Sequence, residues 1–209
     1  MFALVTGTPG AGKTSSTLLR FKDVKDRPVF YRGIRDLSPE LGWFELTDEQ
    51  ARDWHENVPE GGIVIIDEAQ QLFPVRPSSR EVPAGLKALE THRHKGWDVI
   101  FITQEPGLLD SHARKIANEH FHYVRPFQAP MITEYHCGTG AISPSNRADL
   151  ARCSQSGSRS PKRRSACITP PRSIPTSSTR RRCSTSWVPW SSRPRVRGGG
   201  SSAASALVA

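Results

Sequence analysis

Short apolar runs alternate with polar segments of helical character along the first 125 residues of the chain. The apolar runs predict strands at residues 2–6, 27–31, 63–66, 98–103 and 120–125. Helices are predicted at residues 13–22, 48–54, 84–94 and 109–118, with residues 32–60 forming a loop and short-helix insertion. The run at 63–66 is entirely β-branched, which indicates a parallel strand covered on both faces. Alternating strands and helices predict an α/β fold, a three-layer αβα sandwich with a mainly parallel sheet.

The first predicted strand and helix enclose the octapeptide Gly-Thr-Pro-Gly-Ala-Gly-Lys-Thr, which fits the phosphate-loop pattern G-x-x-x-x-G-K-[ST]. Such a loop turns its amides toward phosphate at a helix N-terminus, so the pattern predicts a P-loop NTPase. Lys13 is expected to reach the β- and γ-phosphates of ATP, and Thr14 to ligate Mg²⁺. A chance match in a glycine-rich loop is the alternative. The candidate nucleotide-binding residues are Gly7, Thr8, Pro9, Gly10, Ala11, Gly12, Lys13, Thr14 and Ser15.

Two acids follow the β-branched strand directly, in the Walker B arrangement. Asp67 and Glu68 are expected at the carboxyl edge of the sheet, where open α/β sheets bind their ligands. Asp67 would hold Mg²⁺ through water, and Glu68 would activate the attacking water, which favours hydrolysis over transfer to a small molecule. The alternative is a strand that simply ends in solvated acids.

The fourth predicted strand, at residues 98–103, ends in Thr103-Gln104. We expect this strand beside the Walker B strand, where Gln104 would act as a sensor of the γ-phosphate or the lytic water. The alternative is a capped loop. His120 and His122 alternate on the last predicted strand and point to one face. They are interpreted as packing or surface residues or, alternatively, as a metal pair without an evident third ligand.

Residues 1–136 resemble the N-terminal ATPase domain of the zonular occludens toxin (Zot) family, the assembly and export ATPases of filamentous phages. The specific part of the resemblance is His92-Arg93-His94-Lys95-Gly96-Trp97-Asp98, leading into Phe101-Ile102-Thr103-Gln104. The resemblance implies ATP-driven phage assembly and extrusion through the bacterial inner membrane. It implies phage assembly and coat proteins and single-stranded phage DNA as partners, and a homo-oligomer on the cytoplasmic face of that membrane.

Arg93 carries two open interpretations. It could be an arginine finger that reaches the γ-phosphate of a neighbouring subunit in a ring, since a guanidinium spreads transition-state charge well. It could instead be a cation that satisfies the last carbonyls of the predicted helix at 84–94.

Composition changes sharply after residue 136. Residues 1–136 carry 16 Lys and Arg against 19 Asp and Glu, a net charge of −3, whereas residues 137–209 carry 13 Lys and Arg and the single acid Asp149. The overall charge of +9 therefore says nothing about nucleic-acid binding by the ATPase core. Residues 137–209, rich in Ser, Arg and Pro, are predicted to be a disordered tail.

The tail is interpreted as the product of a shifted reading frame that begins near Cys137. Family members continue with a segment like S-A-E-x-H-T-H-K, a transmembrane helix and a periplasmic part. With suitable codons, residues 167–177 back-translate to DNA whose shifted frame reads His-His-Ser-Ala-Glu-Ile-His-Thr-His-Lys. The alternative is a genuine basic tail that binds nucleic acid or anionic lipid.

The sequence shows no window apolar enough to span a bilayer and begins with a strand instead of a signal peptide. These features and the ATP site predict the cytoplasm, where disulfides between the four cysteines are not expected. Membrane association is expected of an intact family member only. Two other functions stay open: a small-molecule nucleoside or nucleotide kinase, and a nucleotide-regulated binding scaffold.

Overall fold

Eight strands form one sheet in the part of the chain that the computed structural model describes, residues 1–126, 129–138 and 140–159. They are β1 (Phe2–Gly7), β2 (Val29–Arg32), β3 (Phe44–Glu45), β4 (Ile63–Ile66), β5 (Asp98–Ile102), β6 (Glu119–Val124), β7 (Met131–Cys137) and β8 (Ser154–Arg159). Their order across the sheet is β3-β2-β4-β5-β1-β6-β7-β8. The first six strands pair in parallel, and β7 and β8 extend the sheet antiparallel.

Short helices connect these strands. They are α1 (Lys13–Phe21), α2 (Asp48–Arg52), α3 (Trp54–Asn57), α4 (Ala84–Lys87), α5 (Ser111–Ile116) and α6 (Arg147–Leu150). The helix predicted at 84–94 is shorter: α4 passes into a 3₁₀ turn at Ala88–Glu90, and the chain then reverses through a left-handed Gly96. Thr47 caps the start of α2 and forms a capping box with Gln50. No helix within the described ranges is long and apolar enough to cross a membrane.

Alternate residues of the central strands build two cores, one on each face of the sheet. On one face Ile63 and Ile65 pack in a cluster with Leu18 of α1. On the other face Val64 and Ile66 pack in a cluster with helical residues such as Leu86 and Ala113. All four residues of β4 are buried, as an uninterrupted β-branched strand covered on both faces requires. The predicted three-layer αβα architecture is confirmed.

Strand β5 lies between β1 and β4, which places three candidate site segments at one edge of the sheet. The parallel register pairs Val5 with Ile102 and Ile66 with Phe101. The loop after β1, the acids after β4 and the polar residues after β5 therefore emerge side by side. This is the carboxyl edge at which ligands bind in open parallel sheets.

The structure differs from the predicted domain boundary at residue 136. Strand β7 ends at Cys137, and β8 pairs along it from Met131↔Arg159 to His136↔Ser154. Residues 154–159 have the sequence Ser-Gln-Ser-Gly-Ser-Arg, so no apolar alternation marks them as a strand. Main-chain hydrogen bonds to β7 define the strand instead, which composition alone does not reveal. The rest of the predicted tail, residues 160–209, lies outside the described residues.

The expectation that the cysteines would stay unpaired is wrong for Cys137 and Cys153. A disulfide joins them, with their Cα atoms 4.6 Å apart. The physical reason is the strand pairing: His136 lies opposite Ser154, so the two cysteines flank the same end of the β7–β8 ladder. The prediction relied on the compartment, whereas the geometry depends on a strand that the sequence did not show. The other two cysteines, Cys167 and Cys183, lie outside the described residues.

Candidate active site

The loop between β1 and α1 has the conformation that its glycines allow. Gly7 donates its amide hydrogen to the carbonyl of Gln104 at 3.2 Å, which ties the start of the loop to the end of β5. A side chain at Gly7 would overlap the carbonyl of Tyr123 on β6. Gly12 begins α1 in the left-handed conformation, with φ of 89°. The first-turn amides of α1 carry no side-chain cap at this end, which suits an anion.

Lys13 is folded into the loop that it follows. Its Nζ donates to the carbonyl of Gly7 at 2.7 Å and to that of Thr8 at 3.3 Å, and the side chain is buried. Burial lowers the pKa of Lys13, while the nearby carboxylates of Glu68 and Asp67 raise it. The ammonium is therefore held by two carbonyls of the loop and lies within the electrostatic influence of the acids after β4.

Thr14 and Asp67 join the two motifs directly. The Thr14 hydroxyl donates to Asp67 Oδ2 at 2.8 Å, and the amide of Glu68 donates to Asp67 Oδ1 at 2.9 Å. Burial raises the pKa of Asp67, and these two hydrogen bonds act against that rise. A hydroxyl and a carboxylate at this separation suit Mg²⁺, which takes hard oxygen ligands and completes its shell with phosphate and water. No cluster of three His, Cys, Asp or Glu in the described ranges suggests another metal.

Glu68 adopts a backbone conformation that side chains rarely occupy. Its φ is 51° and its ψ is 48°, in the left-handed region, and it precedes the 3₁₀ turn at Ala69–Gln71. Gln70 donates its side-chain amide to Glu68 Oε2 at 2.5 Å. Strain of this kind in a non-glycine residue is concentrated at functional sites. The hydrogen bond from Gln70 holds the Glu68 carboxylate within the turn that follows β4.

Arg32 supports this turn, and the sequence interpretation did not include it. It ends β2, is nearly buried, and donates to Asp48 Oδ1 at 2.8 Å, to the carbonyl of Asp67 at 3.1 Å and to Gln71 Oε1 at 3.1 Å. The guanidinium thereby fixes the backbone that carries Asp67 and Glu68. A charged residue at the end of the strand next to the Walker B strand is the signal that could have found it.

Gln104 lies where its strand predicts, at the carboxyl edge between β1 and β4. Its backbone carbonyl accepts the Gly7 hydrogen bond, and its side chain is exposed. Thr103, one residue earlier, is fully buried. An exposed side-chain amide at this edge is compatible with contact to a ligand on the phosphate loop. The sensor role of Gln104 stays a prediction.

Arg93 lies at the opposite edge of the sheet. It precedes β5, whose first residues sit beside the chain start: the amine of Met1 donates to the carbonyl of Trp97 at 3.0 Å. The length of β5, about 16 Å at ~3.3 Å per residue, separates this edge from the phosphate loop. Arg93 is exposed, and no hydrogen bond of its side chain is found within the described ranges. A role at the phosphates of its own subunit does not fit this position, whereas a role in a neighbouring subunit and a role as a cation at the end of its own helical segment stay open.

The chain is similar to proteins of viral assembly. It is 32% identical over 157 residues to a putative assembly protein, ORF301, of Pseudomonas phage Pf3, a match that covers 73% of this chain. The chain spans about half, 52%, of that curated relative.

Two solved structures share the fold. The N-terminal domain of zonular occludens toxin from Neisseria meningitidis matches with a TM-score of 0.63 and 27% identity, over 78% of this chain and 95% of that domain. B204, the DNA-packaging ATPase from Sulfolobus turreted icosahedral virus, matches with a TM-score of 0.50 and 16% identity, over 68% of this chain and 96% of B204. The second likeness shows a common P-loop NTPase fold and nothing finer.

The family model described as zonular occludens toxin (Zot) matches residues 20–155. That range begins after the phosphate loop, so the match is independent of the most widespread NTPase motif. It contains the acids after β4, the turn that carries Arg93 and the polar end of β5. The chain therefore belongs to the Zot family.

Proposed function

We propose that this chain binds ATP with Mg²⁺ and hydrolyses it to drive filamentous phage assembly. The observation that carries the proposal is the 2.8 Å hydrogen bond between Thr14 and Asp67, residues 53 positions apart. It brings the hydroxyl of one motif and the carboxylate of the other to a single point beside Lys13. Fold and family membership support the same function.

Each group has a defined task in this proposal. The loop amides and Lys13 bind the β- and γ-phosphates, and Thr14 and Asp67 hold Mg²⁺, which neutralises phosphate charge when it is bound. Glu68 orients and deprotonates water, and Gln104 contacts the γ-phosphate or that water. No acceptor hydroxyl is required, which distinguishes hydrolysis from a small-molecule kinase reaction.

Phosphate release from ATP without an added acceptor tests the proposal. Wild-type protein should release phosphate in a Mg²⁺-dependent manner, and Lys13→Ala should lower turnover by about 100-fold because the ammonium that follows the γ-phosphate is gone. Lys25→Ala, at an exposed site outside the loop, is the matched control and should retain full turnover. Turnover of wild-type rate by Lys13→Ala at saturating ATP would refute the site. Binding without any hydrolysis would favour a scaffold, and hydrolysis only with an acceptor would favour a kinase.

The cellular role is proposed from the family and from the phage relative. The ATPase cycle would move phage components, including coat protein and single-stranded DNA, for extrusion through the inner membrane. The domain would work as a homo-oligomer on the cytoplasmic face. Complementation of a phage that lacks its own assembly ATPase, with intact family protein carrying Lys13→Ala as the negative control, tests this role.

A further inference from the structure

A buried threonine joins two histidines beside the phosphate loop. The Oγ1 atom of Thr6 lies 2.6 Å from Nε2 of His120 and 2.9 Å from Nδ1 of His122. Thr6 and His120 are fully buried, and His122 is half-buried. Strand register explains the contact, because Thr6 pairs with His122 across β1 and β6. Thr6 directly precedes Gly7, so the cluster lies under the first residue of the loop.

The hydrogen bonds determine which ring nitrogens carry protons. The backbone amide of Ile142 donates to His120 Nδ1 at 3.0 Å, so that nitrogen is an acceptor. A neutral His120 then carries its proton on Nε2 and donates it to Thr6 Oγ1. The Thr6 hydroxyl has one hydrogen, and His122 Nδ1 is the acceptor within reach. His122 therefore carries its own proton on Nε2.

Both rings are held in the neutral form. Burial lowers the pKa of His120 to about 4, and a proton on His122 would lower the pKa in the same direction. Burial also lowers the pKa of His122, and the positive charge of Lys13 contributes. Geometry relates the two residues independently: Lys13 Nζ donates to the carbonyl of Gly7 at 2.7 Å, and Gly7 directly follows Thr6, which contacts His122.

The outer nitrogen of His122 is the free end of this chain of hydrogen bonds. Its Nε2–H lies across the ring from the Thr6 contact, and no partner for it is found within residues 1–126, 129–138 and 140–159. A metal pair does not fit, because His120 Nε2 and His122 Nδ1 are both engaged by Thr6. Core packing alone explains His120, whereas the ring of His122 is half-buried and its Nε2–H has no partner in the part of the chain that the structure describes.

We propose that His122 is a phosphate-binding residue: Thr6 and His120 orient its ring so that Nε2–H donates to the phosphates that Lys13 binds. This inference rests on the proposed function and adds a donor that the phosphate-loop motif does not contain. His122 would contact the nucleotide, while Thr6 and His120 are positioning residues. Through Thr6 and His120, this series of hydrogen bonds would also link the nucleotide to the backbone amide of Ile142, in the segment between β7 and β8.

Binding of ATPγS and ADP by variants at position 122 tests the proposal. His122→Ala should weaken binding of at least one of them by about tenfold, because a donor to a charged acceptor is lost. His122→Gln should bind within about threefold of wild type, because its amide places an N–H near the Nε2 position. His122→Asn, which reaches only the Nδ1 position, should resemble His122→Ala. His55→Gln, before β4 at the opposite edge of the sheet, is the matched control and should bind like wild type.

Imidazole ¹⁵N NMR of the wild-type protein gives a readout that a purely structural histidine would not change. Both His120 and His122 should show the Nε2–H tautomer, and only the His122 Nε2–H signal should shift on addition of ATPγS. Thr6→Val, which removes the hydroxyl and keeps the shape of the side chain, should weaken nucleotide binding. His122 should then no longer be confined to the Nε2–H tautomer. If Thr6→Val does not fold, the wild-type spectra alone decide the matter.

Three results would overturn the inference. These are unchanged affinity of His122→Ala for both ATPγS and ADP, an Nδ1–H tautomer at His122, and a His122 Nε2–H signal that does not shift when ATPγS is added. If Lys13→Ala loses binding while His122→Ala binds like wild type, the proposed ATPase function stands and the role of His122 fails. If wild-type protein binds neither nucleotide, both proposals fail together.

Discussion

Arg32 holds the turn after β4 through three hydrogen bonds from one nearly buried guanidinium. We expect Arg32→Met to lower the free energy of unfolding by about 1–3 kcal/mol, because the carbonyl of Asp67 and the amide of Gln71 lose a buried donor. The rate of ATP turnover should fall as well, because the same turn carries the Glu68 carboxylate. Denaturant unfolding and phosphate release measure the two effects. Arg35→Met, at an exposed position three residues on, should change neither. A fully stable and active Arg32→Met variant would show that the turn after β4 keeps its conformation without the hydrogen bonds of Arg32.

Glu68 allows binding and chemistry to be separated at one residue. Glu68→Gln keeps the shape of the side chain and removes the base, so it should bind ATP with near-normal affinity and hydrolyse it at least about 100-fold more slowly. Equilibrium binding and single-turnover hydrolysis are the measurements. Asp67→Asn is the comparison, and it should impair Mg²⁺-dependent binding too. Normal hydrolysis by Glu68→Gln alongside an inactive Asp67→Asn would reduce Glu68 to a surface acid.

At this scale the sequence predicted residues whose spacing in the chain is itself the signal. Lys13 and Thr14 follow from a fixed pattern, and the structure joins Thr14 to the predicted Asp67 by a hydrogen bond. The hydrogen bonds of Arg32 and the Thr6–His122 contact could not be predicted, because each depends on the register between strands far apart in the chain. The left-handed backbone conformation of Glu68 was also not predicted, because no residue type in Ile66-Asp67-Glu68 indicates a positive φ.

Among the elements, the position of β5 between β1 and β4 determines what each end of that strand can do. Its carboxyl end carries Gln104 to the phosphate loop, and the turn before it carries Arg93 to the far edge. A trans-acting Arg93 thus needs a neighbour that presents its phosphate loop to this edge. Such a contact joins two different surfaces, which generates a ring or a helical filament.

Mixing two inactive variants tests the finger interpretation of Arg93. Arg93→Ala should bind ATP with near-normal affinity and lose turnover, and wild-type activity per subunit should rise with protein concentration as subunits meet. Combining Arg93→Ala with Glu68→Gln should restore part of the activity, since each supplies what the other lacks at mixed interfaces. The assay should span a wide concentration range. Activity that is independent of concentration, together with a mixture that stays inactive, would leave Arg93 no role at a neighbour's phosphates.

Five of the six parallel strands were predicted from the sequence, whereas the short parallel strand β3 and the antiparallel strands β7 and β8 were not. Burial on both faces produces the continuous apolar runs of β1, β4 and β5. Strand β7 buries Ile132 and Cys137 but keeps four half-buried polar or aromatic residues between them. Strand β8 is polar throughout and is defined by its pairing with β7. A polar edge strand of this kind carries almost no periodic signal.

For the molecule as a whole, the origin of residues 160–209 is a question about DNA. The family match continues to residue 155, beyond the position near Cys137 at which the change of reading frame is predicted to begin. We expect the nucleotide sequence to encode His-His-Ser-Ala-Glu-Ile-His-Thr-His-Lys in the shifted frame across codons 167–177. Sequencing the DNA downstream of the codon for Tyr135 checks this directly. A shifted frame without that peptide, or one closed by stop codons, would make the basic tail a genuine part of the protein.

The left-handed backbone of Glu68 means that a substitution which stabilises the fold at this position would remove the carboxylate that the proposed activity requires. Glycine occupies this conformation without the steric cost that a side chain meets, a cost of about 1 kcal/mol or more. Replacement of Glu68 by glycine should therefore relieve strain while it discards the carboxylate. A selection for heat resistance alone would enrich inactive protein at this position, as happens where a function requires a strained residue. A thermostable version of this domain for biochemical work is better sought by exempting position 68 from mutagenesis than by screening it for melting temperature.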